Sequence, residues 1–488
     1  MNGPTRRLAV VVFLGFAVLV AASSWFQVFG AERYRSDPRN ARATISRTEK
    51  ERGLIVAGDG TVLARSDPLP DTAQAFTRRY PGGAAYAAAV GYSTFLVGDA
   101  GLEAAYADEL RSRRDLTISD LLAALFGRDL RPRNVQTTLQ PIVQQSAYSA
   151  LAGQTGAVVA LDPKTGAVLG YVTSPSFDPN TLLGTDAVDV RQTLLDDPDG
   201  PLLDRAGREL FPPGSTFKAI VTAAALDIGV ADPETDFPNT LTYDLPGSDA
   251  DIANAGGGLC GSGETVTLQT AFVRSCNTVF ADLAVQVGAA AIGATAGEVG
   301  FGRQLEFPWN LAVSRFPVRD LQADPAALAQ SGIGERNVRV TPLTMAMVAA
   351  AIANGGDVMA PRIVAQVFDA DGNTVDASQP HLLGQAMTPA TAAVISQLME
   401  RVVTEGTGTR ATVPGVRVAG KTGTAEGAHG PDAWFIGFAP VDDPVIAIAV
   451  LVTGGGSAGE SASGGSVAAP IAAQVLDAWL SGSEGSAG

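Results

Sequence analysis

Lysine is scarce in this chain, and its scarcity marks where chemistry is to be sought. Of 34 basic residues only four are lysines: Lys50, Lys164, Lys218 and Lys421. Arginine supplies the ordinary surface charge. Arginine effectively never loses its proton, whereas a desolvated lysine can. A reaction that needs a neutral amine must therefore keep lysine even in an arginine-rich chain. Lys218 follows Ser215 by three residues in Phe211-Pro-Pro-Gly-Ser-Thr-Phe-Lys218. The Pro-Pro-Gly breaks the chain ahead of Ser215, so Ser215 is expected to open a helix. Residues i and i+3 share one helix face, which makes Ser215 and Lys218 neighbours. A serine hydroxyl is a weak nucleophile that needs an adjacent base. A neutral Lys218, its pKa lowered by burial and nearby positive groups, fits that need. The helix N-terminus also favours negative charge developing at Ser215.

Ser-x-x-Lys alone can arise by chance on any helix surface, so its weight comes from two companions. Ser275-Cys276-Asn277 lies 60 residues on. The Ser275 hydroxyl suits proton relay to a leaving amine, and Asn277 suits a substrate amide while steadying the lysine. Lys421-Thr-Gly-Thr424 lies in a strand-like segment. A strand edge offers backbone hydrogen bonds to an extended peptide, and Gly423 leaves room for another backbone to approach. Lys421 and the hydroxyls of Thr422 and Thr424 suit a terminal carboxylate. The backbone N–H groups of Ser215 and Thr424 suit an oxyanion hole.

These motifs need elements to hold them. Gly156–Asp162 and Ala167–Val172 read as a hairpin turned at Pro163-Lys-Thr-Gly166, with Lys164 a solvated turn residue. A helix-rich middle follows, with helices at Lys218–Leu226, around Leu268–Val287, and at Pro342–Asn354, where Pro sits in the first turn. Val416–Ala425, Ala433–Ala439 and Val445–Thr453 read as three strands, and Ala469–Leu480 as a closing amphipathic helix. Two strands early and three late predict one antiparallel sheet packed by helices, with an all-helical lobe and a cleft between them. The class is α+β. Composition agrees: the chain is 46% hydrophobic and 17% charged, enough apolar content for sizeable cores. A net charge of −16 argues against a general nucleic-acid binder, which needs a basic footprint. Two histidines and two cysteines are too few for a His/Cys metal cluster of usual spacing, and no cofactor is implied.

Arg6 and Arg7 precede an apolar run from Leu8 to Phe29, long enough to span a bilayer core of roughly 30 Å. The arginines are expected to remain in the cytoplasm, and Trp25 suits the far interface. An uncleaved anchor is favoured over a cleaved signal peptide with a cut near Ala21-Ala22, because the run exceeds a typical signal core. Either way the rest lies outside the cytoplasm. There Cys260 and Cys276 have two options, a disulfide or two separate buried thiols. The expected organisation is a cytoplasmic tail (1–7), a transmembrane anchor (8–29), a non-catalytic region of structural role (30–151) and the catalytic domain (152–488). The structural region holds charged stretches such as Arg47–Arg52 and a Gly/Ala-rich part near Tyr80–Gly101, with no nucleophile constellation.

The order Ser-x-x-Lys, Ser-x-Asn, Lys-Thr-Gly resembles that of the penicillin-recognising serine enzymes, the penicillin-binding proteins and β-lactamases. ELFPPGSTFKAI around Ser215 resembles their acylation site. Gly420–Pro440 is similar to their third and fourth core strands, and Ser331–Gly356 resembles a segment of the transpeptidases. Gly53–Ser66 resembles the start of the pedestal in class B penicillin-binding proteins, and the chain as a whole resembles the actinobacterial penicillin-binding protein A group. The resemblance implies a D,D-transpeptidase of the cell membrane. Ser215 would attack a D-Ala-D-Ala stem peptide of peptidoglycan, release D-Ala, and pass the acyl group to an amine on a neighbouring stem. β-Lactams would acylate Ser215 as substrate mimics. Partners would be the division or elongation machinery. Residues 32–151 resemble a pedestal rather than a glycosyltransferase region, so a class B enzyme is expected rather than a bifunctional one. The second motif carries Cys276 at its middle position, and pairing with Cys260 would brace Ser275 and Asn277.

Three rivals remain at this level. A class A β-lactamase uses Glu in E-x-x-x-N to activate a deacylating water, and Glu306-Phe-Pro-Trp-Asn310 matches literally; the anchor and pedestal disfavour it. A Ser-His-Asp hydrolase needs a histidine base, and only His381 and His429 exist. A β-lactam sensor or non-catalytic division scaffold would use the same fold.

Overall fold

The computed structural model describes residues 3–28, 51–69, 76–111 and 131–484. The end of the apolar run at Phe29 and the charged stretch from Arg47 to Lys50 lie outside the described residues. Helix α1, Gly3–Val28, has 26 residues and is about 39 Å long at 1.5 Å per residue. Its Arg6–Trp25 window has a mean hydropathy of 2.3 and buries none of its surface within the protein. One N-terminal helix is thus long and apolar enough to cross a membrane, and it suits a single-pass anchor.

A six-stranded sheet follows, in the order Thr374–Ala377, Val364–Phe368, Asn134–Thr137, Ile55–Val56, Val62–Pro68, Phe76–Arg79. Two of its strands come from far along the chain, so residues 364–377 return to complete a sheet begun before residue 80. Beside it a buried ion cluster joins three segments. The fully buried Glu103 carboxylate accepts from Arg52 at 2.6 Å and Arg78 at 2.5 Å. Tyr80 adds its hydroxyl to the same carboxylate and accepts the Ser93 N–H. Opposite charges this close offset much of each other's desolvation cost.

The C-terminal half is built on a five-stranded antiparallel sheet. Helix α2 (Pro141–Ala150) leads into β1 (Gly156–Leu161) and β2 (Val168–Ser174). Then come α3 (Lys218–Asp227), α4 (Leu268–Arg274), α5 (Asn277–Val287) and α6 (Pro342–Ala353). The chain closes with β3 (Ala419–Gly427), β4 (Gly430–Ala439), β5 (Ile446–Val452) and α7 (Ala469–Glu484). The strand order is β3-β4-β5-β1-β2, so the early hairpin and the late strands form one sheet, as their order in sequence predicts. Successive side chains face opposite sides of a strand, and here both sides are buried. Val159, Ile436 and Ala449 join the core shared with α3 and α6; Val158, Phe435 and Val450 join the core under α2 and α7. This double burial explains why β5 reads as an unbroken apolar run rather than an alternation.

Helix α6 is buried from Pro342 to Ile352. Its start is set locally: Thr341 accepts the Thr344 N–H as N-cap, and Pro342 occupies the first turn, where no N–H is needed. The middle of the chain forms the expected helix-rich lobe. It is not wholly helical, because Asp236–Pro238 pairs with Thr265–Thr267 and Thr242–Asp244 with Asp251–Ala253. The helical stretch expected over Leu268–Val287 is broken into α4 and α5, and the break carries the second motif.

Candidate active site

Ser215 lies in a 3-10 turn, Gly214–Phe217, that runs directly into α3. The residues ahead of it are pinned to the sheet and the lobe. Trp434 on β4 donates its indole N–H to the Pro212 carbonyl at 2.9 Å, and Phe211 exchanges two backbone bonds with Val340. Gly214 has φ +53, and a Cβ there would lie 2.5 Å from the Thr424 carbonyl oxygen. Only glycine fits both conditions. Across the gap, a Cβ on Gly423 would lie 2.9 Å from the Pro213 oxygen and 3.0 Å from the Thr216 nitrogen. The two glycines therefore let the nucleophile turn and β3 approach backbone to backbone, which places the Ser215 turn beside Thr424.

Ser275 sits at the break between α4 and α5 with φ +61, a left-handed conformation that costs energy in a non-glycine residue. Cys276, the next residue, is bonded to Cys260 with a Cα–Cα distance of 5.9 Å. Of the two options for the cysteines, the disulfide is the one formed. It ties the break to the loop after Asp251–Ala253, and Arg274 donates to the Cys260 carbonyl from the same side.

Both expected lysines converge on this break. Lys218 donates to the Ser275 carbonyl and to Asn277 Oδ1, each at 2.8 Å, with Ser275 Oγ at 3.4 Å. Lys421 donates to Ser275 Oγ at 2.9 Å and to the Thr422 carbonyl at 3.1 Å. Both are fully buried, with Phe280 under one ammonium and Phe272 under the other. Burial, and then the charge of Lys421, holds Lys218 well below the ordinary lysine range. Burial alone brings Lys421 down to about 7. Ser215, Ser275 and Asn277 are half-buried above them. The arrangement is a cleft floored by two desolvated amines and rimmed by two hydroxyls.

Some expectations are placed differently. Ser215 and Lys218 share the same turn, yet the Ser215 hydroxyl makes no hydrogen bond to any described residue, and Lys218 is anchored to the second motif instead. Asn277 steadies Lys218 through Oδ1 and gives an N–H to the Ala253 carbonyl. Thr422 and Thr424 alternate with Lys421 along β3 and face the other way. Thr422 bonds Thr407, and Thr424 accepts the Gly464 N–H. Thr407 and Gly464 are contacts that sequence reasoning missed, for they come from remote turns with no motif of their own.

The rival sites fare less well. Trp309 donates to Asp204, and Phe307 stacks on Tyr171 of β2. The Glu306–Asn310 segment is thereby held toward the sheet edge opposite β3, with both of those residues exposed. His381 and His429 are exposed too, and neither bonds Ser215.

A five-stranded antiparallel sheet, a helix-rich lobe, and a Ser/Lys/Ser cleft between them define the class of penicillin-recognising serine enzymes. Residues 156–477 match the penicillin-binding protein transpeptidase domain, and residues 52–135 match the penicillin-binding protein A dimerisation domain. The chain belongs to the penicillin-binding protein transpeptidase family. It is 41% identical to the peptidoglycan D,D-transpeptidase PbpA of Mycolicibacterium smegmatis, over 98% of this chain and 99% of that one. It is 39% identical to PbpA of Mycobacterium tuberculosis, over 99% of this chain and 100% of that one. Among solved structures, penicillin-binding protein A from M. tuberculosis in its ceftriaxone acyl-enzyme complex superposes with a TM-score of 0.82 at 39% identity. That match covers 89% of this chain and 100% of that one. The penicillin G acyl-enzyme complex of the same protein gives 0.81 at 39% identity, covering 88% and 100%.

Proposed function

We propose that this protein is a peptidoglycan D,D-transpeptidase that works through an acyl-enzyme on Ser215. The observation that carries the reading is the convergence of two buried lysines on Ser275, beside a serine turn pressed against a strand edge. A neutral lysine has two N–H donors and one lone pair. The two short bonds of Lys218 go to carbonyl oxygens, which use the donors and leave the lone pair free to take a proton. Lys218 is thus the general base for Ser215. Ser215 Oγ attacks the carbonyl of the penultimate D-Ala, and its proton passes to Lys218. The N–H groups of Ser215 and Thr424 receive the developing oxyanion. As the intermediate collapses, the C–N bond breaks and the proton travels through Ser275 to the departing D-Ala amine. An amine on a neighbouring stem then attacks the ester, gives up its proton along the same route, and releases Ser215. Lys421 binds the terminal carboxylate, and Gly423 lets β3 lie close to the serine turn. Asn277 keeps Lys218 in place.

We further assign residues 1–7 to the cytoplasm and 8–29 to the bilayer; outside it, 30–151 form a pedestal that the strands of 364–377 complete, and the rest of 152–488 forms a catalytic domain. That location puts the cleft where stem peptides are, alongside division or elongation machinery. Labelled penicillin followed by peptide mapping tests the central assignment: label on Ser215 is expected, and label on another residue overturns it. The lifetime of that adduct tests the fate of the acyl group. A long-lived adduct supports transpeptidation, whereas rapid turnover would make the protein a β-lactamase.

A further inference from the structure

The edge of β3 that faces the cleft is already occupied at one position. The Glu426 N–H donates to the Glu335 carboxylate at 3.3 Å. β3 is an edge strand, and its backbone groups alternate between β4 and the open side. Since the Glu426 N–H points to the open side, Thr424, two residues earlier, presents its own N–H there as well. Glu335 follows Gly334, whose carbonyl accepts the Gly214 N–H at 3.0 Å, next to Ser215. Val340, a little further on, is the residue that pairs with Phe211. One side chain therefore spans the two walls whose N–H groups, from Ser215 and Thr424, must face a single oxygen.

We propose that Glu335 is a positioning residue for acylation, its carboxylate clamping β3 to the nucleophile turn and so fixing the gap between the two oxyanion donors. This rests on the reading of Ser215 as the acylated serine. Glu335 makes no ion pair with any described residue, and Arg339 spends its guanidinium on the carbonyls of Arg336 and Val338. The charged groups facing Glu335 are Glu426 on β3, Asp432 on β4 and Arg339, with His429 beside Asp432. Burial raises Glu335 to about 7 and Asp432 to about 6. An ionised carboxylate accepts an amide hydrogen bond more strongly than a carboxylic acid does. The clamp tightens, then, as pH rises through the Glu335 transition.

The test is the rate of acylation by labelled penicillin on both sides of pH 7, for the full chain and two variants. Glu335→Ala is expected to slow acylation roughly ten- to a hundredfold, the scale of a small misplacement of reacting groups, with the thermal midpoint little changed. Glu335→Gln keeps an acceptor oxygen without the titration and is expected to restore most of the rate. The ratio of wild type to Glu335→Gln should rise as pH climbs through about 7. A Glu335→Ala variant that acylates at the wild-type rate overturns the proposal. Should that variant fail to fold, the ratio decides alone: a rise supports the clamp and a flat ratio overturns it. Mapping the label in the wild type separates the two readings. No label at Ser215 removes the premise, while label at Ser215 with indifferent Glu335 variants removes only the clamp.

Discussion

Two of the places where the molecule buries charged side chains handle them in opposite ways. In the N-terminal domain, Glu103 sits between Arg52 and Arg78, every charge facing its opposite. Around Ser275, two lysines of like sign share one small volume with only neutral oxygens and aromatic faces as partners. The first arrangement sets attraction against the cost of desolvation. The second makes ionisation costly, so a proton is readily lost from Lys218, and a neutral amine is what a serine needs beside it. Burial alone does not distinguish a structural charge from a reactive one. The sign of the neighbours does.

Four substitutions would break or sharpen that contrast. Lys218→Arg keeps positive charge but cannot deprotonate at working pH. Acylation by labelled penicillin should fall roughly 10³-fold, within the range expected for losing a general base; a loss of only a fewfold would remove Lys218 from the proton path. Glu103→Gln strands two buried guanidiniums. Thermal or denaturant unfolding should register a loss of about 3–5 kcal/mol, while the folded protein acylates at the wild-type rate. If acylation fell and stability held, the two clusters would not be as separate in role as their chemistry implies.

Lys421→Met removes a carboxylate ligand and the positive neighbour of Lys218. Acylation should drop about a hundredfold, consistent with losing one charged contact. Its pH profile carries the sharper information. The charge of Lys421 lowers Lys218, so removing it raises Lys218, and the acid limb of the rate should move to higher pH. A limb that stays in place, or moves lower, contradicts the coupling. Smallest is the effect of opening Cys260–Cys276 by Cys260→Ser. A loop of this size is worth roughly 3 kcal/mol to folding. Acylation should slow severalfold, since Ser275 loses a brace on its left-handed conformation. Equal acylation rates with and without the bond would reduce it to a purely structural staple.

Much of the site was legible because its residues carry local signals. Pro-Pro-Gly forces a turn before Ser215, the rarity of lysine singles out Lys218 and Lys421, and the apolar runs around Trp434 and Ile448 announce strands. The partners of those residues were less legible. Helical spacing pointed Lys218 at Ser215, but Lys218 reaches across to Asn277 and the Ser275 carbonyl, a contact between helices that no spacing rule encodes. Thr422 and Thr424 looked like carboxylate ligands by type, yet strand alternation turns them to the face opposite Lys421. Glu335 lies within the Ser331–Gly356 segment, but nothing local singles it out, because its role depends on which turn its neighbour Gly334 abuts. Local chemistry is written in short segments; long-range pairing appears only when the chain is folded.

The return of residues 364–377 to the N-terminal sheet bears on how the protein is made. The strands from Ile55 to Thr137 emerge early, but the neighbour that covers Asn134–Thr137 is not synthesised until Val364–Phe368. Until then that strand offers an open edge, the kind of surface that invites misplaced pairing. A ribosome that stalls, or a protease that cuts, before Val364 leaves two incomplete halves rather than one finished domain and one missing one. The N-terminal sheet and the catalytic domain therefore share a single birth, and the slow long-range closure between them sets when the newborn chain is safe.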